Sequence, residues 1–389
     1  MWSREQVPAN APCLFLNNFM GRASAGRKQL SHHPELAALR QLSAHLGRNP
    51  LLVQAATGNT SVKIGSQLWV KASGAWLADA DRNDIFLPVE LAAIRGCLEK
   101  GIPYAAEYRN SSGTCVEPSV EAPLHALMPH RVVIHVHAVN TISWAVRSDG
   151  PSQLTRRLAG LSWQWIPYVS SGLPLALELR SVLSSSPDVL ILANHGLVVG
   201  GESGEAAEAL LTKVEDRLLA VPRTDSEPDW SQLERRAAGK PGWRVPEEAG
   251  VHALGTDTTS RTILRGGTLY PCQAVFLGPG AAVVLPDRCL ADSEERYQAR
   301  YGVPPTFLVV AGSGVLVRQP ITVAQTQVLK ALSQVVQRIE AEAPIRYLTA
   351  AELAELSTAD TQRYQRRVET SFRERSNPSA GLTPVLMLS

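Results

Sequence analysis

The chain has 389 residues, 44% hydrophobic and 19% charged, enough apolar material for a buried core in one large domain or two ordinary ones. Lys and Arg total 38 against 36 Asp and Glu, a net charge of +2, so a bulk basic nucleic-acid binder is excluded and any anionic ligand must be held by a local site. Five scattered cysteines (Cys13, Cys97, Cys115, Cys272 and Cys289) form no CxxC pair, which excludes a disulfide scaffold and argues against a thiolate zinc site.

Residues 1–30 lack hydrophobic patterning and read as a flexible arm. The apolar run from Cys13 to Leu16 is too short for a signal peptide, and no run approaches the roughly 18 residues of a membrane span. The expectation is a reduced, cytoplasmic protein with no membrane partner. From Pro34, Leu36, Leu39, Leu42 and Leu46 recur at helical spacing until Gly47 and Pro50 end the helix. Strands are expected over 67–72 and 84–89, a helix over 119–128 after Pro118, strands over 131–138 and 188–193, and a helix over 204–219. The chain then turns polar and Pro-rich. Residues 223–264 read as a linker or excursion between a domain over 31–222 and an α/β half over 265–389. In that half, 274–278, 281–285 and 306–310 are strand-like, and 322–343 reads as a long amphipathic helix. Strands interleaved with helices define an α/β class. Residues 189–199 and 306–317 echo one another, with His195-Gly196 facing Ser313-Gly314. The echo fits either a decayed repeat or two similar strand–turn–helix units.

The histidines carry the sharpest chemical signal. His135 and His137 share one face of a strand and can reach one ion. Zinc and similar borderline metals accept imidazole nitrogen, and catalytic sites commonly use three protein ligands. His195, at a strand-end turn, is the third candidate, although Asn-His-Gly is also ordinary turn chemistry. Glu121 lies near a helix start, where it can complete the metal shell, move a proton or simply complement the helix dipole. His125 shares its helical face and reads as a supporting histidine. The polar turns 56–61 and 71–74 offer backbone N–H and hydroxyl groups to phosphate or carboxylate, with Lys63 and Lys71 as possible added charge.

Taken together, Gly58–Ser61, Ser73-Gly74, Pro118–Glu121, His135–His137 and Asn194–Gly196 resemble, in order, the motifs of class II aldolase/adducin-type proteins. The longer runs 54–63, 69–77 and 117–126 are most similar to the aldolase half of bifunctional rhamnulose-phosphate aldolase/dehydrogenase proteins. Coverage is strong over 34–220 and looser over 265–345, and the chain stops where the fused dehydrogenase would begin. The resemblance implies a largely antiparallel sheet flanked by helices, with a second, smaller α/β half. It implies a divalent metal, most often Zn2+, on His135, His137 and His195, with Glu121 as catalytic acid/base. It implies that Gly58, Asn59, Thr60, Ser73, Gly74 and Ser119 bind the phosphate of a small sugar substrate, in a homo-oligomer. The implied activity is retro-aldol cleavage of a phosphorylated ketose through a metal-stabilised enediolate, in which Glu121 serves if its pKa is raised. The same metal site suits a sugar-phosphate 4-epimerase, a decarboxylase or a dehydratase, and an adducin-like scaffold keeps the fold without the metal. The tyrosine that some family members use as an acid has no clear match; Tyr104, Tyr108 and Tyr168 are candidates.

Overall fold

A computed structural model describes residues 33–106, 108–109, 115–223 and 226–376. The expected arm over 1–30 lies outside the described residues. Helix α1 (Pro34–Gly47) starts where His33 accepts a hydrogen bond from Glu35 N–H and Pro34 supplies a preset first helical residue. Strands β1 (Asn59–Ile64), β2 (Gln67–Lys71) and β3 (Phe86–Glu90) follow as a meander, then α2 (Leu91–Glu99), a small ladder β4 (Tyr108–Arg109) and β5 (Cys115–Val116), and α3 (Ala122–Leu127). Next come β6 (Val132–Val136), α4 (Val139–Ala145), α5 (Gly150–Arg157), β7 (Trp163–Ile166), α6 (Leu173–Val182), β8 (Val189–Leu192), β9 (Gly196–Gly201) and α7 (Gly204–Leu218).

These strands form one seven-stranded sheet in the order β3-β2-β1-β6-β9-β8-β7. Every neighbouring pair is antiparallel except β7 and β8. Alternation in β6 shows how the faces are divided. Val132, Ile134 and Val136 pack with α1 and α7, whereas Val133 packs with Leu124 of α3 and Leu175 and Leu179 of α6. Helices thus cover both faces, and His135 stands on the α3/α6 side with Val133.

The second half adds α8 (Trp230–Ala238), β10 (Trp243–Arg244), α9 (Thr258–Gly266), β11 (Ala282–Val284), α10 (Leu290–Tyr301), β12 (Phe307–Val310), β13 (Gly314–Arg318) and α11 (Val323–Gln337). Helices α12 (Ala350–Leu356) and α13 (Ala359–Ser376) close the described chain. The second sheet runs β10-β13-β12-β11, with β11 parallel to β12. Three sequence expectations change. Residues 226–264, within the stretch read as a linker or excursion, pack as part of the second half: they supply β10 and bury Leu233, Trp243, Val251 and Leu254 in the core. The segment 274–278, read as strand-like, falls instead on a π-helical turn, Gln273–Leu277, that places Phe276 and Leu277 in the core beside α11. The expected helix 119–128 begins only at Ala122, because Ser119–Glu121 is a turn bridged to residue Ala72 through Pro118.

The sequence echo corresponds to a shared topology. Strand order β6-β9-β8-β7 is repeated as β10-β13-β12-β11, with the same parallel pair and the same order of helices after β7, β9, β11 and β13. The turn Ala193–His195 corresponds to Ala311–Ser313, and its middle residue is left-handed in both, Asn194 at φ 52° and Gly312 at φ 80°. The second unit therefore carries Ser313 in the turn where the first carries His195, and beyond Arg244 its strands part around the His252 imidazole, which accepts from Val315 N–H and donates to the Pro246 carbonyl.

Candidate metal centre

The antiparallel register brings distant residues to one edge of the first sheet. The C-terminal ends of β2, β6, β7 and β8 and the N-terminal end of β1 all open there. They carry Lys71–Gly74, His135–His137, Tyr168–Ser171, Asn194–His195 and Gly58–Asn59 respectively. Gly58 is left-handed at φ +69°, and a Cβ there would stand 2.8 Å from the His135 carbonyl, so only glycine lets β1 approach β6 this closely.

His135, His137 and His195 form a nearly equilateral cluster, with ring centroids 5.0, 4.9 and 4.9 Å apart. Their ligand atoms lie within 4.8 Å of one another, and all three side chains are buried. Among the described residues this is the group of His, Cys, Asp and Glu side chains able to hold a metal ion. His135 Nε2 and His137 Nε2 stand 3.2 Å apart. Two imidazole nitrogens on one tetrahedral ion at 2.0–2.1 Å stand about 3.3 Å apart. His135 Nδ1–H donates to the Leu197 carbonyl at 3.0 Å, which leaves the Nε2 lone pair facing the cluster. His137 Nδ1 meets the Cys272 thiol, from the second half, at 3.2 Å. Two imidazole nitrogens at this distance can share a hydrogen bond or ligate one ion, and with the third imidazole within the same reach the donor set fits a divalent metal.

Glu121 is the N-cap residue of α3, yet its carboxylate makes no cap. It turns instead toward the histidines, with Oε2 3.5 Å from His135 Nε2 and Oε1 3.4 Å from His195 Nε2. Asn59 Nδ2 donates to Oε2 at 2.6 Å, and Ser171 Oγ donates to Oε1 at 3.1 Å. Burial pushes the Glu121 carboxyl up, but the imidazoles of His135, His195 and His125 and the Ser171 hydrogen bond outweigh it and hold it below the usual carboxylate range. The raised pKa required by the sequence reading is absent, so the group rests as an anion. Burial, the largest effect, lowers His137 well below its ordinary value and lowers His195 to about 4, leaving both imidazoles neutral and able to ligate near neutral pH.

The other expected residues divide between the edge and elsewhere. Ser119 Oγ accepts from Glu121 N–H at 3.2 Å, and Ser73 N–H donates to the Glu117 carbonyl at 2.8 Å, so these turns adjoin the carboxylate. Gly74, at φ +78°, lies under Arg367 of α13. Thr60 is not brought in: its hydroxyl meets Ser43 of α1 at 2.6 Å on the opposite face. Lys63 lies toward the far end of β1, bonded to the Met128 carbonyl. Lys71 is fully buried and donates to the Ala56 and Ala75 carbonyls at 2.5 and 2.9 Å, stapling the two polar turns together. His125 Nδ1 pairs with Ser61 Oγ at 2.8 Å behind the carboxylate. Tyr108 donates to Pro88 on the edge strand β3, and Tyr104 packs in the Leu68–Val89–Ile94 cluster, away from the histidines. The sequence reading missed Ser171, Cys272 and Tyr364.

Residues 37–219 match the family model of the Class II Aldolase and Adducin N-terminal domain, a stretch that coincides with the first sheet and its helices. A curated relative, an uncharacterized oxidoreductase named YuxG from Bacillus subtilis (strain 168), is 28% identical over 165 residues. That match covers 38% of this chain and 24% of the relative, so the chain spans about a quarter of its length. The N-terminal class II aldolase domain of a conserved Thermoplasma acidophilum protein is 23% identical, with a TM-score of 0.40, covering 48% of this chain and 92% of its own. An L-fuculose-1-phosphate aldolase from Thermus thermophilus is 22% identical, with a TM-score of 0.33, covering 47% and 91%. Among the described residues, no helix is long and apolar enough to cross a membrane.

Proposed function

We propose that the chain is a metal-dependent aldolase-type lyase that cleaves a phosphorylated ketose by retro-aldol chemistry. The carrying observation is the buried imidazole triangle with Glu121 lying against two of its members. His135, His137 and His195 would hold the divalent metal, with zinc favoured by the all-imidazole set. When bound, such an ion acts as a Lewis acid toward substrate carbonyl and hydroxyl oxygens.

The chain's own groups account for the remaining steps. Glu121, ionised and fixed by Asn59 and Ser171, takes and returns the proton at the nucleophilic carbon. Gly58, Ser73, Gly74 and Ser119 line the turns that receive the phosphate, and Lys71 sets a positive charge between them. In cleavage the hydroxyl on the aldehyde side gives up a proton, which Glu121 takes and delivers to the nucleophilic carbon; Tyr364 of α13 would donate to that oxygen only in the reverse, condensing direction. Its hydroxyl donates to the Ala56 carbonyl at 3.3 Å, and burial raises its pKa, so it stays protonated.

The direct test is to supply ketose 1-phosphates to protein stripped of metal and then reloaded with zinc, and to measure dihydroxyacetone phosphate release. Release on reloading is the expected result. Activity that survives complete stripping rules out the metal mechanism, and isomerised sugar without cleavage identifies an epimerase. A pH effect follows from Lys71, which burial lowers to about 7. Below that pH it is charged and attracts phosphate; as pH rises through it, the charge is lost. Affinity for a phosphate ester should therefore fall from pH 6 to pH 9. Lys71→Met should flatten that profile and weaken binding about tenfold or more at pH 6, as measured by calorimetric titration with glycerol phosphate.

A further inference from the structure

The first sheet carries the three imidazoles, but two of them are held in place from outside the stretch that matches the family model, residues 37–219. A ligand imidazole ordinarily donates its second ring N–H to a fixed acceptor, which sets its tautomer and orientation. His135 finds that acceptor within the first sheet, in the Leu197 carbonyl. His137 does not: its Nδ1 meets the Cys272 thiol of the second half at 3.2 Å. With His137 Nε2 facing the cluster, 3.2 Å from His135 Nε2, Nδ1 carries the ring proton and donates to the Cys272 sulfur.

A second contact comes from the same place. The Leu269 carbonyl, on the segment that ends at Cys272, accepts from Asn194 Nδ2 at 2.7 Å. Asn194 Nδ2 also donates to the Arg346 carbonyl at 2.7 Å, and the Arg346 guanidinium donates to Asn194 Oδ1 at 3.2 Å. Both ends of this buried amide are thus engaged from the second half. Its backbone is left-handed at φ 52°, and these bonds hold the turn that presents His195. Residues 269–272 are themselves fixed. Leu269 N–H donates to Gln273 Oε1 at 2.8 Å, Gln273 Nε2 donates to the Gly280 carbonyl at 3.3 Å, and Gln273 is 0% exposed. Just before them, Leu348 N–H donates to the Thr268 carbonyl at 2.9 Å, and within them Pro271 restricts the backbone.

Resting on the metal reading above, we propose that residues 269–272 are a positioning segment for the metal centre: Cys272 sets the ring of His137, and the Leu269 carbonyl, through Asn194, sets the turn of His195. Neither group touches reacting atoms, so both act through the imidazoles they hold. Without the sulfur, the His137 ring is free to turn about its side-chain bonds, and its buried Nδ1–H loses its partner, which costs about 1–3 kcal/mol. A thiol is a weak acceptor, so its contribution lies in aiming the ring more than in raising its basicity. The second half, which brings no imidazole to the cluster, thus raises cation affinity by fixing two imidazoles of the first.

The test reads metal binding and ligand geometry, with no substrate present. Zinc affinity of the full chain is measured by competition with a chromophoric chelator. Cys272→Ala, which removes the acceptor, should weaken zinc binding about tenfold or more. Cys272→Ser, which restores an acceptor, should recover most of that loss. Asn194→Gly, which keeps the left-handed backbone and removes the amide, should weaken binding by a similar factor. Cobalt-loaded protein supplies a readout that a general loosening of the fold would not give. A ligand imidazole whose Nδ1–H is sheltered gives a paramagnetically shifted proton resonance that exchanges slowly with water. Cys272→Ala should lose the His137 resonance to rapid exchange and keep that of His135, which the Leu197 carbonyl holds. Unchanged zinc affinity in Cys272→Ala or Asn194→Gly, a loss that Cys272→Ser fails to recover, or joint loss of both resonances would overturn the inference and leave the three-imidazole site standing. Failure of the unaltered chain to bind zinc would overturn the metal reading and this inference together. The expected losses in a protein that binds zinc without cleaving ketose phosphates would support the inference and overturn the lyase reading alone.

Discussion

Protein carrying His135→Ala should bind a divalent cation at least about 100-fold more weakly than the unaltered chain and lose carbon–carbon cleavage with it. Groups that merely support a metal ligand are worth about 10–100-fold in affinity, and His135 would be a ligand itself. Its imidazole is 0% exposed, fixed by the Leu197 carbonyl, and 3.2 Å from its His137 counterpart. No neighbouring side chain can take its place. Glu121 is the nearest oxygen donor, and both its oxygens are already engaged by Asn59 and Ser171. Elemental analysis after dialysis against a graded chelator measures the loss, with circular dichroism to show that the sheet has formed. A variant that keeps one ion per chain at unchanged affinity would exclude His135 from the metal shell.

Glu121→Gln should separate binding from chemistry. The substitution keeps the shape and leaves three imidazoles for the ion, so metal content should persist. An amide cannot take the proton, and a positioned acid–base group is worth about 10²–10⁴-fold in rate. The expected result is a fall of that size in kcat with a small change in KM. Exchange of the dihydroxyacetone phosphate C–H proton with deuterated solvent should fall in parallel, because that half-reaction needs the base and no aldehyde. Exchange at the unaltered rate would move the proton-transfer role to another residue.

The sequence exposed those parts of the site that depend on short-range pattern. His135 and His137 are two residues apart on a β-branched strand, and strand periodicity alone puts them on one face. The α1, β8 and α7 segments were equally legible, since each carries an unbroken apolar period. What strand periodicity could also have shown is that Thr60 lies on the face opposite Asn59 and Ser61, and so cannot share their site. Ser171, Cys272 and Tyr364 were not legible, because nothing local distinguishes them. Ser171 reaches Glu121 through the β7–β8 pairing, and Cys272 and Tyr364 reach His137 and the Ala56 carbonyl through the docking of the second half. The strand expected at 274–278 failed for a related reason: an apolar run of that length suits any buried element, and packing beneath α11 selected a π-helical turn. The linker reading of 223–264 failed because polar, Pro-rich composition marks exposure along most of a segment and does not register a two-residue strand such as β10.

Asn194 bears on the order in which the centre is assembled. Its side-chain amide donates to the carbonyls of Leu269 and Arg346, 75 and 152 residues further along the chain. The left-handed turn that presents His195 is therefore braced by polypeptide made long after the histidines themselves. Contacts of such sequence separation form late, because the intervening chain must first give up its loop entropy. On a growing chain, His135 and His137 come into register as soon as β6 pairs with its neighbours, while His195 waits for its brace. A cation held by the three imidazoles would accordingly be captured near the end of folding, and a nascent chain interrupted before residue 346 would hold two of them ready and the third unsecured.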